Sequence, residues 1–146
     1  MKKLDSLIGK LETFESELFN IIETVIQENE AVIIEMNSED QLFEKGVYRD
    51  GVKLDGYSPF TIEIKSQKGQ PTNRTTLRDT GAFHESFYLE FQKDGFEMKA
   101  SDPKTEELKT DWGPEILGLT DENLNDIIQN YVAPRVLIKL NELRSI

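Results

Sequence analysis

Cysteine is absent from the 146-residue chain. That excludes disulfide scaffolds, thiolate metal sites and cysteine nucleophiles together. Histidine occurs once, as His84, so a zinc site would rest almost wholly on carboxylates, an unusual donor set. No apolar run approaches the roughly 18 residues of a membrane span. Met1-Lys2-Lys3 could open a leader, but Asp5, Lys10 and Glu12 interrupt any apolar stretch behind it, so neither a leader nor a membrane segment is expected. The sequon Asn73-Arg74-Thr75 then reads as chance. The length is close to the roughly 150 residues of one domain. Apolar residues are few, 37% against 31% charged, so they must concentrate in one core or a subunit interface.

The net charge of −11 is unevenly placed. Residues 4–44 hold eleven acids and one base, Lys10. Residues 45–78 hold seven bases (Lys45, Arg49, Lys53, Lys65, Lys68, Arg74, Arg78) and three acids. Residues 79–146 hold fourteen acids and seven bases. This balance has the wrong sign for general nucleic-acid binding. It reads either as scattered solubility charge or as two faces of opposite sign suited to contact between copies. On the second reading Lys65, Lys68, Arg74 and Arg78 are candidate inter-subunit or partner contacts. Salt should then slow assembly, and reversing those four charges should block it while leaving the subunit fold intact.

Apolar residues recur at three- and four-residue spacing from Leu4 to Met36, which predicts a helix over about 3–36, with a second piece over 39–45 closed by Gly46. The stripe drifts as a 3.6-residue period does against a heptad, so it describes a straight amphipathic helix more than a zipper. At about 1.5 Å per residue it spans roughly 50 Å, too long for a compact chain of this size unless it kinks or projects towards a partner. Residues 46–82 are glycine-rich and poor in apolar side chains, and read as a long loop or arm, mobile in the isolated subunit. Within it Ser58-Pro59 marks a short helix to Gln67, with a strand as the competing reading. Residues 83–101 alternate as a hairpin turning at Asp94-Gly95. Asp102-Pro103 then opens a short helix to Leu108, followed by a loop at Trp112-Gly113-Pro114. Thr120 caps a last helix over 120–146 that Pro134 should kink or split. The fold class is α+β: one domain, 1–146, in which long N-terminal and C-terminal helices pack on a small antiparallel sheet built around the hairpin.

Catalytic motifs fail on inspection. Gly46-Val47-Tyr48-Arg49-Asp50-Gly51 lacks the lysine of a phosphate loop, since Val52 stands there. Gly56-Tyr57-Ser58-Pro59-Phe60 lacks the second glycine of a nucleophile elbow. Asp50 and Asp55 do not have calcium-loop spacing. Carboxylate pairs are too common here to carry a signal. His84 falls on the polar phase of the predicted strand and reads as a surface residue. Trp112 reads as a core lid or as an interface anchor.

Three segments in order carry a resemblance: Tyr57-Ser58-Pro59-Phe60-Thr61 with Lys65; Leu77, then Thr80-Gly81-Ala82-Phe83 and Ser86; and Glu115-Ile116-Leu117-Gly118-Leu119-Thr120. Together they resemble the virion-morphogenesis or tail-completion family of tailed bacteriophages. Gln41-Leu42-Phe43-Glu44-Lys45-Gly46 followed by Asp50-Gly51 is similar to versions from phages of gut Bacteroidota, crAss-like ones included. The resemblance covers about residues 41–120. Phe83 stands where leucine is usual, and the basic loop is long. The family motif falls on Tyr57, Thr61, Lys65, Leu77, Thr80, Gly81, Phe83, Ser86, Gly118 and Leu119. The resemblance implies a non-enzymatic neck protein of the virion, made in the host cytoplasm, with no cofactor. It implies a homo-oligomeric ring joining portal or adaptor proteins to tail proteins, with DNA passing through its lumen and no membrane contact. A different class, an acidic cytosolic binding or regulatory protein such as an inhibitor or DNA mimic, is the alternative.

Overall fold

The computed structural model describes residues 2–93 and 95–144. In chain order the elements are α1 (Lys2–Glu28), α2 (Glu30–Glu35), a π-helical stretch Met36–Lys45, α3 (Pro59–Gln67), α4 (Ala82–Glu85), β1 (Phe87–Gln92), β2 (Gly95–Ala100), α5 (Thr105–Trp112), a 3-10 turn Pro114–Ile116, α6 (Asp121–Ile127), a second π stretch Ile128–Val132, and α7 (Ala133–Arg144). The protein is α+β, with mostly helical residues and one two-stranded antiparallel sheet. The sequence reads as a single domain; the contacts divide it into two compact units, one of residues up to Asn29 with those from Asn125 onward, the other Glu30–Leu124.

In the first unit α1 packs on the second π stretch and α7. Val25, Ile26, Ile127 and Val132 are buried, and Arg135–Glu28 (3.0 Å) and Lys139–Glu17 (3.1 Å) pair α7 with α1. The predicted helix to Met36 breaks at Asn29, whose Nδ2 turns back to donate to Val25 O at 2.8 Å. Pro134 does not end the last helix but changes its winding one turn earlier. It cannot donate to the carbonyl of Asn130, and the turn before it widens into the π stretch while α7 continues beyond.

The second unit is built on α2, the first π stretch and the hairpin. Ile33, Leu42, Phe83, Phe87, Leu89, Met98, Ile116 and Leu117 are buried. The register pairs Phe87 with Ala100, Leu89 with Met98 and Phe91 with Phe96, which puts the apolar residues of both strands on one face. Glu30 accepts the Leu89 amide at 3.1 Å and so fastens α2 to β1. Gly46 closes the π stretch at φ 62, as its sequence position predicts. A Cβ there would meet Thr75 O at 2.8 Å, so glycine also permits the close passage of the 74–76 backbone.

Three local expectations are corrected. The strand begins at Phe87, not Phe83, because Gly81 (φ 93) and the Glu85 N–H···O=C Gly81 bond (2.9 Å) start a helical turn first. The pairing of Gln92 with Gly95 places Gly95 in β2, while Asp94, the other half of the expected turn, lies outside the described residues. The helix after Asp102-Pro103 starts at Thr105 and runs to Trp112; Asp102 Oδ1 accepts the Lys104 amide in the turn ahead of it.

Candidate partner-contact site

The expected short helix forms as α3: Ser58 Oγ accepts the Thr61 amide at 3.2 Å and Pro59 takes the first helical position. Its apolar and charged residues are inverted. Phe60 is 73% exposed and Ile62 and Ile64 are exposed too, whereas Lys65 is only 9% exposed. Lys65 Nζ donates to Gln70 Oε1 (3.2 Å) and to Arg78 O (3.1 Å), and lies 4.9 Å from the Tyr57 ring centre. The lysine therefore ties α3 to the 70–78 strand of loop that returns beneath it.

The rest of residues 46–82 is anchored in a similar way, although the low apolar content predicts a mobile arm. Val47 and Leu54 are buried, and Val47 bridges to Lys53. Thr75 and Thr76 are almost completely buried: Thr75 Oγ1 donates to Asp55 O, and Tyr57 Oη accepts the Thr76 amide at 2.8 Å. Backbone and side-chain hydrogen bonds do here what apolar burial does elsewhere.

Of the family-motif residues, Tyr57, Thr61, Lys65, Leu77, Thr80, Gly81 and Phe83 converge on one cavity of about 310 Å³, and Trp112 joins them there. Trp112 is half-buried, and its carbonyl accepts Tyr48 Oη at 2.8 Å. Ser86 lies outside the cavity; its Oγ donates to Phe83 O at 2.7 Å and its carbonyl accepts the Ser101 amide, closing α4 onto the sheet. Gly118 and Leu119 line a separate cavity of about 680 Å³ with Arg49 and the outer edge of the hairpin.

The four cations put forward as inter-subunit contacts all have partners within their own chain. Arg78 pairs with Glu39 at 3.0 Å and stacks 4.6 Å from the Phe43 ring centre. Arg74 Nε donates to Phe43 O at 2.6 Å. Lys68 pairs with Asp79 at 2.8 Å, and that hydrogen bond, with a second from Gln70, holds the Asp79 carboxyl below its ordinary range. Arg74 and Arg78 thus reach back to the Met36–Lys45 stretch, Arg78 alone by an ion pair, while Lys65 and Lys68 bond within residues 65–79. Lys65 is buried, so reversing all four charges is expected to unfold the subunit rather than leave it intact.

The third segment of the motif is held by Asn37, which carries no sequence signal, and Gln41, which opens the Gln41–Gly46 segment but has no sequence sign of this role. Asn37 and Gln41 are fully buried, one helical turn apart on the π stretch. Asn37 Nδ2 donates to Ile116 O (3.0 Å) and its Oδ1 accepts the Gly118 amide (2.8 Å). Gln41 Nε2 donates to Gly118 O (2.8 Å), and its Oε1 accepts the Thr120 amide (3.0 Å) and Asn123 Nδ2 (2.9 Å). Thr120 caps α6 as expected, its Oγ1 accepting the Asn123 amide. Residues 116–120 are thereby read as backbone, donor for acceptor.

His84 is not a surface residue. The turn of α4 swings it inward beside Phe83 and Phe87, 5% exposed, with Nε2 donating to Thr76 O at 3.0 Å and Nδ1 buried without a partner. Burial pulls its pKa down to about 4, Arg78 adding to the effect while the Thr76 bond and Glu39 oppose it. The unfolded chain, with an ordinary value near 6.5, therefore binds a proton that the fold refuses. Stability from this source is complete above about pH 6.5 and is lost as the pH falls towards 4, by roughly 2–3 kcal/mol. His84→Gln keeps a donor for Thr76 O and should lack that fall. The check is the difference in urea-unfolding free energy between the two proteins from pH 7 to pH 4; a difference that does not move with pH would refute a buried neutral His84.

Burial along the stripe of α1 is graded. Val25 and Ile26 are buried and Phe14, Leu18, Ile21 and Ile22 are half-buried, but Leu4, Leu7, Ile8 and Leu11 are exposed, Leu11 by 58%. Leu137, Ile138 and Leu140 of α7 are exposed as well. No helix among the described residues is long and apolar enough to cross a membrane. Comparison of the chain with protein-family models, with curated proteins and with solved structures finds no match to any of them.

Proposed function

We propose that this protein is a structural subunit of the neck of a tailed-phage virion, a head–tail connector or tail-completion protein. It assembles with copies of itself into a ring between portal-side and tail-side components, with DNA passing through the lumen. The observation that carries the reading is the convergence of the first two motif segments, 57–65 and 77–83, on one cavity. Residues separated in sequence act there as one framework, with side chains spent on holding backbone: Lys65 on Arg78 O and Tyr57 on the Thr76 amide. Asn37 and Gln41 treat the third segment in the same way. On this reading the motif keeps a subunit in shape for assembly and performs no chemistry.

The open leucines at the N-terminal end of α1 fit the same reading, because a contiguous apolar face on a soluble subunit marks a contact surface. The test is sedimentation and negative-stain electron microscopy of the purified chain over a range of concentration, with antibody labelling of virions. Closed rings of one symmetry, and label at the head–tail joint, are expected. A protein that stays monomeric at high concentration, and whose antibody labels no virion, is not a neck ring.

A further inference from the structure

We propose that the cavity between α3 and α5 is a docking pocket for an extended peptide of a partner protein, one that presents an aromatic side chain beside a carboxylate. The inference stands apart from the ring reading, since a monomer would bind as well.

The pocket has an apolar wall and one buried cation without a direct ion pair. Leu77, Phe83, Leu108 and Trp112 supply the wall. Its volume of about 310 Å³ accepts one aromatic side chain and the adjoining peptide unit, and is small for a cofactor. Lys65 supplies the charge. An ammonium that is nine-tenths buried ordinarily faces a carboxylate. Here two of its three N–H groups go to neutral oxygens, of Gln70 and Arg78, and Lys65 forms no ion pair among the described residues. Neither acid of the lining forms a direct ion pair with Lys65: Asp79 acts on it only through space, its Oδ1 accepting from Lys68 and Gln70, and Asp102 Oδ1 accepts the Lys104 amide. A carboxylate brought in by a ligand would complete the lysine, and Lys104 on the same lining adds a second positive charge.

The wall is also preshaped. Leu77 takes φ 55, the one non-glycine residue described in the left-handed region, where its Cβ crowds the backbone. That conformation sets Leu77 and Arg78 on the lining while the Arg78 carbonyl turns to Lys65. Strain held at a concave, aromatic-walled site is characteristic of a ligand clamp.

The pocket carries its own reporter, because Trp112 is the only tryptophan of the chain. The experiment titrates the full chain with two pairs of short blocked peptides and follows Trp112 fluorescence. One pair places phenylalanine before an internal glutamate or glutamine; the other ends in phenylalanine with a free carboxylate or an amide. At least one acidic peptide should bind roughly tenfold more tightly than its neutral twin, the effect of one charge-assisted hydrogen bond. The pair that shows the preference tells an internal acid from a chain terminus. Lys65→Met should level the pair. Ala82→Phe, at an exposed position on the rim, should weaken both peptides without disturbing the core. Equal binding of acidic and neutral peptides by the natural protein, or absence of saturable binding, overturns the proposal. So does a preference that survives Lys65→Met. Should that variant fail to fold, undiminished binding by Ala82→Phe overturns it as well.

Discussion

Gln41→Ala is expected to destabilise the second unit by about 3–5 kcal/mol, among the largest losses any single side chain of this protein can produce. Gln41 is fully buried and satisfies three groups at once: the Gly118 carbonyl, the Thr120 amide and the Asn123 side-chain amide. Asn123 keeps a second acceptor in Asp40, but the Gly118 carbonyl and the Thr120 amide lose the partner that Gln41 provides. Each buried polar group left unpaired costs about 1–3 kcal/mol, and alanine adds a cavity. Gln41→Met keeps the volume and removes only the polar term, so it separates the two contributions. Urea unfolding followed by Trp112 fluorescence reads the unit concerned, since Trp112 lies within Glu30–Leu124. The unfolding midpoint should fall strongly for alanine, less for methionine, with an unchanged slope. If methionine is as stable as glutamine, the hydrogen bonds to 118–123 contribute nothing and the clamp is only packing.

Why this clamp is invisible in sequence is a matter of distance. Its partners lie 77 to 82 residues away from Gln41 and 79 to 81 from Asn37, so no local window contains both sides. What the sequence does show is whatever closes within a turn or two. Ser58-Pro59 predicts α3 because cap and helix are neighbours, and Gly46 and Thr120 mark helix ends for the same reason. Alternation predicts the hairpin pairing, since a period of two tells which residues share a face. It fails at His84 because the chain is still helical there, and a phase borrowed from the strand puts the ring on the wrong side.

The burial of Lys65 is missed for a different reason. A lysine flanked by Ile64 and Ser66 gives no sign of burial, and the charge rule that places lysine outside is broken only where fixed acceptors await it, as Gln70 and the Arg78 carbonyl do. The charge asymmetry between segments is real, but its first use is within the chain, where Arg78 meets Glu39. The convergence of the first two motif segments on one cavity could not be derived from spacing, since it depends on how the 70–78 loop returns past α3.

If the subunit assembles as proposed, the triple change Leu4→Ser, Leu7→Ser, Leu11→Ser is expected to weaken that self-association about a hundredfold while leaving the folded subunit unchanged. The three side chains are each about half exposed, at the open end of the α1 stripe. Covering the remaining half of a leucine contributes roughly 1 kcal/mol, so three contribute about 3 kcal/mol per contact, or two powers of ten in the association constant. In a closed ring each subunit makes two such contacts, and the concentration at which rings form should rise steeply. Charge is a weaker candidate for this role. Exposed ion pairs contribute about 0–1 kcal/mol each, and Lys68, Arg74 and Arg78 are already bonded within their own subunit. Added sodium chloride should therefore alter assembly less than the leucine change does, and sulfate should favour it by strengthening apolar burial. Sedimentation measures the association and circular dichroism the fold. Rings that form at the natural concentration in the triple variant would remove α1 from the interface and leave its leucines as exposed apolar surface without a contact role.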